Sequence, residues 1–215
     1  EVRGNLPILH LYGTPQEMGT QYGTILKEPL QALDAYTRAL LPSRTLQKYV
    51  TFAQGHERVL PPTMREELRA ISKASGMSYT HLVAMNVLPG LRCSTLAAWG
   101  KASKDGSLVM GRNNDYFSFG LSDRISMVVV YHTPKRVPLA AVTFLGMVGA
   151  FTGVNAEGVA FGNMLIVNAR ADRVVHDGLP IQIAMRLAAH QSKTADEMVR
   201  LLRARRMMKP MSVMA

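Results

Sequence analysis

The chain has 215 residues, of which 47% are hydrophobic and 19% charged, a composition that excludes a disordered or collagen-like protein. Its length supports one well-buried core, and no apolar run reaches the roughly 18 residues that a membrane-spanning helix needs. Because the sequence begins at Glu1 rather than Met, we expect the natural start to lie upstream. A removed leader is compatible with this, so cytoplasmic and exported locations both stay open.

The formal net charge is +10, and most of the basic excess lies in the second half of the chain. A solvated helix face is the favoured interpretation, and attraction to an anionic partner is the alternative. No zinc-finger spacing or RNA-binding strand pattern is present, so nucleic acid is not predicted as a partner. The basic residues that contribute most to the excess are Arg200, Arg203, Arg205, Arg206 and Lys209.

The first 88 residues predict one strand followed almost entirely by helices. Thr14, Pro15 and Glu17 form a capping box with proline at the first helical position. Gly19 and Gly23 lie one turn apart and predict close packing against another element. The predicted elements are a strand over 6–12 and helices over 14–40 (bent at Pro29), 45–60, 63–75 (capped by Thr63 and Glu66, stopped by Gly76) and 78–87.

From residue 93 the pattern changes to β-branched runs punctuated by turns, and Asp105-Gly106 is typical of a hairpin. Three successive hairpins favour antiparallel pairing, and two runs without alternation, 127–130 and 139–142, predict strands covered on both faces. The chain therefore predicts a layered α+β fold. The predicted strand pairs are 94–99 with 108–112, 124–132 with 139–144 and 151–155 with 159–165, before helices over 180–191 and 194–207.

Several familiar motifs do not fit the sequence. The glycines at 146, 149 and 153 are not followed by the Lys-Ser/Thr pair or the helix of a phosphate loop, and no Gly-x-Ser-x-Gly elbow is present. One cysteine permits no intrachain disulfide, and no Cys/His cluster has zinc spacing. We predict neither a cofactor nor a metal. The fourteen methionines are interpreted as core residues.

A candidate catalytic group centres on Cys93, where the helical region ends and the first strand begins. The hairpin predicted for that strand returns Arg112 and Asp115 towards the cysteine, and Asn155 ends another strand. A thiolate is a strong nucleophile that a nearby cation such as Arg112 stabilises. Asp115 is suited to orient an amine, and the Asn155 amide to donate to an oxyanion. A buried cysteine, an ordinary Arg112–Asp115 ion pair and a turn-forming asparagine are the structural alternatives.

The pieces around these residues resemble the acyl-CoA:6-aminopenicillanate (isopenicillin-N) acyltransferase family of N-terminal-nucleophile hydrolases, with choloylglycine hydrolases as distant relatives. The order and spacing of the segments carry the resemblance. They are 13–23 (GTPQEMGTQYG), 93–100 (CSTLAAWG), 105–106 (DG), 111–115 (GRNND) and 153–160 (GVNAEGVA) with Asn163.

The resemblance implies a four-layer αββα sandwich with antiparallel sheets, self-cleavage between Arg92 and Cys93, and an acyl-thioester on Cys93. The freed α-amine acts as the general base, with Asp115, Arg112 and Asn155 as further site residues. Residues 1–92 become a mainly helical pro-segment and 93–215 part of the nucleophile-bearing subunit, together forming one structural domain. The partners implied are the cleaved fragment itself and a small acyl-amide, with acyl-CoA as an alternative donor. Tyr116 and Phe117, together with Phe119, are candidates for an acyl pocket, or else loop anchors.

Two departures from the family pattern leave alternatives open. Arg92 replaces the glycine that precedes the nucleophile in the penicillin enzyme, and a later asparagine and arginine of the family are not identifiable before Ala215. We therefore expect a C-terminally incomplete family fold. The competing functions are a non-catalytic relative that binds a small ligand or partner, a cysteine hydrolase with a histidine base, and an anionic-surface binder.

Overall fold

The computed structural model describes residues 2–3, 6–87, 92–115, 121–165, 175–209 and 211–215. A short strand β1 (Val2–Arg3) pairs with β2 (Leu6–Tyr12), and α1 (Pro15–Ile25) follows. The capping box is confirmed: the Glu17 amide donates to Thr14 Oγ1 at 3.3 Å, and the Thr14 amide donates to the Glu17 carboxylate at 2.7 Å. This reciprocal pair satisfies two N–H groups that the helix start otherwise leaves open.

The predicted helix over 14–40 is two helices, because α1 ends before Leu26 and α2 (Lys27–Leu40) begins after it. Pro29 lies at the third position of α2, where no intrahelical partner is lost. The cap predicted at Thr63 and Glu66 is wrong, since α4 already begins at Pro62, whose fixed φ suits a first helical position. The remaining N-terminal helices are α3 (Ser43–His56), a 3₁₀ turn (Glu57–Val59), α4 (Pro62–Ser75) and α5 (Tyr79–Val87).

The close packing predicted from two glycines occurs between α1 and α4. A Cβ atom at Gly19 would lie 2.4 Å from the Glu67 carbonyl oxygen, and one at Gly23 would lie 2.6 Å from that of Ile71. Both distances are shorter than van der Waals contact, so only glycine allows the two backbones to approach this closely. Gly76 ends α4 with φ of +79°, as the sequence predicts.

The second half of the chain supplies most of the strands. The strands β3 (Arg92–Gly100) and β4 (Gly106–Asp115) form a two-stranded antiparallel hairpin. A seven-stranded sheet has the order β1-β2-β5-β6-β7-β8-β9. Its further strands are β5 (Ser126–His132), β6 (Leu139–Phe144), β7 (Thr152–Asn155), β8 (Ala160–Leu165) and β9 (Met211–Met214), and a short helix α6 (Ser122–Ile125) precedes β5.

The α+β class is confirmed, but the prediction of purely antiparallel sheets is wrong. β2 runs parallel to β5, with Ile8 opposite Val128, because the long connection through the helices and the first hairpin returns the chain in the same direction. The prediction that 127–130 and 139–142 are covered on both faces is also wrong. Burial alternates along β5, and the Val142 side chain on β6 is 44% exposed.

Helices cover one face of the large sheet. Leu11, Val129, Tyr131 and Phe161 from the strands share one core with residues of α1, α4, α5, α7 (Ile181–Ala189) and α8 (Ala195–Arg203). The hairpin β3–β4 meets the opposite face, since a Cβ at Gly162, next to Phe161, would lie 3.1 Å from Arg112 Cδ. No helix within the described ranges is long and apolar enough to cross a bilayer.

Candidate active site

Cys93 lies near the start of β3, on the hairpin side of the large sheet. Its half-buried side chain packs against a small apolar cluster formed by Phe144, Met147 and Phe151. Phe144 ends β6, and Met147 and Phe151 lie in the segment that leads to β7, so the connection between two strands of the large sheet brings the cluster to the thiol. The sulfur therefore has one apolar side, which suits contact with an acyl chain.

Arg112 reaches the sulfur from the neighbouring strand. In the hairpin register Thr95 is opposite Arg112 and Cys93 is opposite Asn114, so Cys93 and Arg112 are diagonal neighbours on one face. The Arg112 Nη2 donates to Cys93 Sγ at 2.8 Å, and its Nε donates to the Asn163 carbonyl oxygen at 3.0 Å. A guanidinium held in this way favours the thiolate over the thiol.

The Arg112 side chain is fixed between the two sheets. Burial lowers its pKa from the ordinary value, and the Cys93 sulfur opposes this effect by charge attraction and hydrogen bonding. Since a guanidinium is a much weaker acid than any other cationic side chain, the group stays cationic. Gly162 on β8 leaves the space that the Arg112 stem fills, because a side chain there would press on its Cδ atom.

The hairpin register defines the backbone positions of Asp115 and Arg92. They face each other at the open end of the hairpin, one position beyond the Cys93–Asn114 pair. The partnership of the Asp115 side chain with the nucleophile and the cleavage after Arg92 stay predictions. Tyr116 and Phe117, the predicted acyl-pocket residues, lie outside the described residues, as does Phe119.

The structure does not bring Asn155 to Cys93, and the oxyanion role predicted for it does not fit its contacts. Its Nδ2 donates to the carbonyl oxygens of Ala189 and Ser192, at 2.9 and 2.8 Å. Its Oδ1 accepts from the amides of Glu157 and Val159. Both amide protons are thus used to tie the β7–β8 turn to the end of α7. Asn155 also stands four residues along the strand from the site's apolar cluster, or about 13 Å.

Asn163 is a site residue to which the sequence analysis gave no role. Its carbonyl oxygen anchors Arg112, while its fully buried side-chain amide has no hydrogen-bond partner within the described ranges. Its place three residues after the GVNAEGVA segment was visible in the sequence. Its role depends on β8 lying against the hairpin, which is a non-local contact.

The histidines have partners of their own. His10 bonds His132, His56 bonds His176, His81 bonds Asp34, and His190 bonds the Val137 carbonyl oxygen. These contacts argue against a histidine base for Cys93. In the part of the chain that the structure describes, no group of three or more His, Cys, Asp or Glu side chains is arranged to hold a metal ion.

Comparison with known proteins identifies the family of the chain. The family model described as acyl-coenzyme A:6-aminopenicillanic acid acyl-transferase matches residues 102–213, more than half of the chain. The chain belongs to this family. The matched region includes Arg112 and Asn163 and begins nine residues after Cys93. The family membership that the sequence motifs predicted is therefore confirmed.

Three curated relatives of this acyl-transferase family member extend the match. Protein dcd1B of Dictyostelium discoideum is 27% identical over 213 residues, covering 83% of this chain and 41% of that protein. An N-acylethanolamine-hydrolyzing acid amidase of Caenorhabditis elegans is 26% identical over 148 residues, covering 62% and 41%. An uncharacterized protein of Archaeoglobus fulgidus is 22% identical over 191 residues, covering 72% and 32%. The chain thus spans only about a third to two-fifths of the length of these relatives.

Acyltransferases and amidases are therefore the enzyme classes to which this chain is related.

Proposed function

We propose that this chain carries the nucleophile of an autoprocessing cysteine amidohydrolase or acyltransferase that acts on a small N-acyl substrate. The observation that carries the proposal is the 2.8 Å contact between Arg112 Nη2 and Cys93 Sγ. An arginine directed at the only cysteine of the chain is the arrangement that a thiolate nucleophile needs.

The first proposed step is the cleavage of the chain before Cys93. The thiolate attacks the Arg92 carbonyl carbon, the peptide C–N bond breaks, and the nitrogen takes up a proton to become an amine. Water then hydrolyses the thioester, leaving the Arg92 carboxylate and the free thiol. The register supports this site, because Asp115 is opposite Arg92 and thus one residue from the new amine.

The second step is turnover of the substrate. The freed α-amine, with an ordinary pKa of about 7.7–8.0, accepts the thiol proton at neutral pH. The sulfur attacks the substrate carbonyl, the leaving amine takes the proton, and an acyl-thioester forms on Cys93. Water completes hydrolysis, while a second amine completes acyl transfer. The apolar cluster of Phe144, Met147 and Phe151 beside the sulfur supports an acyl group as the part that is bound.

An N-acylated amine is the proposed substrate class, in keeping with the name of the nematode relative, and acyl-CoA is the alternative acyl donor. We also propose that the complete fold is the four-layer αββα sandwich. The hairpin β3–β4 supports this, because Leu96 and Val109, which lie on the face opposite Cys93 and Arg112, are each more than half exposed. Apolar side chains exposed together on two strands fit a further layer packed on them.

Intact mass spectrometry under denaturing conditions tests the cleavage. The expected products are fragments 1–92 and 93–215, with Cys93→Ala remaining as one chain and Cys93→Ser cleaving more slowly. Incubation with a panel of N-acyl amines then tests turnover, and the expected trapped species is an acyl adduct on fragment 93–215. Turnover that persists in Cys93→Ala would overturn the proposal, as would an uncut chain whose cysteine resists an electrophile.

A further inference from the structure

Four arginines converge on a cleft in the helical layer. The cleft has a volume of about 420 Å³ and lies between the 3₁₀ turn, the start of α4, the segment before α7 and the residues after α8. None of these elements carries Cys93, Arg112 or Asn163, so the cleft is separate from the candidate active site. Its arginines are Arg58, Arg65, Arg205 and Arg206.

The charges in the cleft are unbalanced. Asp177 is the acidic residue in its wall, and it is paired with Arg206 at 2.7 Å on the exposed rim. Glu57, at the start of the 3₁₀ turn, is bonded to Arg69 and Tyr79 instead. The other arginines of the cleft therefore lack a neutralising carboxylate in its described wall, which favours an external anion.

The burial of Arg65 and Arg205 also favours a bound anion. The Arg65 Nε is buried and has no hydrogen-bond partner among the residues that the structure describes. A buried donor without a partner costs free energy, so a shift of this guanidinium towards a bound oxyanion would be favourable. Burial also lowers the pKa of Arg205 from its ordinary value, so its charge too would be stabilised by an anion.

The first turn of α4 adds to the positive potential. Its cap and first residue, Pro61 and Pro62, line the cleft, the turn contains no acidic side chain, and no side chain caps it. The start of a 14-residue helix carries a partial positive charge that favours anions, and this contribution is purely electrostatic because Pro61 and Pro62 offer no backbone N–H. Leu60, Leu179 and Leu187 provide an apolar wall, so the cleft suits an anion attached to a compact apolar group.

We propose that this arginine cleft binds the phosphate group of a small organic phosphate or of a phospholipid headgroup. Guanidinium groups form paired hydrogen bonds with phosphate oxygens, and the volume lies in the range of small-ligand sites. Of the basic residues near the end of the chain, Arg205 and Arg206 would then contribute to anion binding. Arg200 and Arg203 on α8 are exposed and belong to the solvated face that the sequence predicts.

Calorimetric titration with phenyl phosphate in buffer of physiological ionic strength tests the proposal. We expect binding that phenol does not reproduce and that sulfate competes away. Arg65→Gln and Arg205→Gln should each weaken it by about tenfold or more, because each removes a charge-assisted contact. The matched control Arg203→Gln makes the same charge change on an exposed site and should alter the affinity by less than about twofold. Cys93→Ala should bind as tightly as the parent chain, which separates this result from the catalytic proposal.

A second experiment, vesicle sedimentation, distinguishes a lipid phosphate from the phosphate of a small soluble molecule. Vesicles of phosphatidylcholine with and without phosphatidic acid are sedimented with the protein. If only the phosphatidic acid vesicles bind, with the same loss in Arg65→Gln and Arg205→Gln, the phosphate belongs to a lipid. Should Arg65→Gln fail to fold by circular dichroism, Arg58→Gln takes its place. The proposal is overturned if no probe binds, or if Arg203→Gln weakens binding as much as the cleft variants do.

Discussion

Replacing Arg112 with glutamine removes the cation from Cys93 and thereby tests the central contact of the site. The side chain donates to the sulfur and to the Asn163 carbonyl oxygen. Glutamine retains a donor but no charge, so the thiolate loses its electrostatic partner. We expect Cys93 to react more slowly with an electrophile at neutral pH.

The size of the effect follows from the contact. A hydrogen bond to a charged group contributes roughly 1.5–3 kcal/mol when it is shielded from water. Both Cys93 and Arg112 are half-buried, so solvent screening places the value near the lower limit. About 1.4 kcal/mol corresponds to a tenfold change in the thiolate population. Labelling by iodoacetamide at pH 7 should therefore slow by roughly tenfold.

The assay follows carboxamidomethylation by mass over a pH series. Rates of the parent chain and of Arg112→Gln should converge at high pH, where the thiol ionises without help. Arg112→Lys should lie between them, because a point charge cannot reach the sulfur and the carbonyl oxygen together. Arg44→Gln, a change at an exposed arginine on α3, is the charge-matched control. Equal rates for the parent chain and Arg112→Gln across the series would refute the reasoning.

Three further predictions concern stability. Asn155→Ala removes four hydrogen bonds to backbone groups. Urea titration should show a free energy of unfolding that is lower by about 2–4 kcal/mol. A variant that keeps its stability but has an unreactive Cys93 would instead indicate that Asn155 acts in the site. Gly19→Ala forces a methyl group against the Glu67 carbonyl and should cost about 1–3 kcal/mol, whereas Gly55→Ala, whose Cβ meets nothing within 4 Å, should not destabilise. Burial, reinforced by Arg186, lowers the pKa of His190 to about 4. Between pH 6.5 and 4 the unfolded chain therefore holds a proton that the folded chain lacks. The free energy of unfolding should decrease as the pH is lowered through this range, by up to about 3 kcal/mol. His190→Gln should reduce this pH dependence in urea titrations.

Local chemistry explains which elements the sequence predicted well. The capping box at Thr14, the turn at Gly106 and the stop at Gly76 depend on residues within a few positions of each other, and all are present in the structure. The diagonal Cys93–Arg112 relation was equally accessible, because one short hairpin sets its register. Such features need no knowledge of the rest of the fold.

The features that were missed depend on distant parts of the chain. The parallel pairing of β2 with β5 and the added strand β9 are decided by packing across more than a hundred and about fifty residues, respectively. Asn155 shows the same limit: its motif suggested a site residue, but the end of α7, over thirty residues away, takes both of its amide protons. Pro62 overrode the Thr63 cap because a proline and a threonine cap compete for the same helix start.

The position of β2 between β1 and β5 has a consequence for a polypeptide severed after residue 92. The smaller piece would still supply an inner strand to the larger piece's sheet, and Glu67 from α4 would still neutralise Arg186 from α7, whose guanidinium lies 3.6 Å from the Tyr131 ring. Separation would expose the edge of β2 that pairs with β5 and would leave two buried charges without their partners. Gel filtration of the cleaved protein should therefore give one peak at the mass of the intact chain. The two fragments should separate only on a denaturing detergent gel.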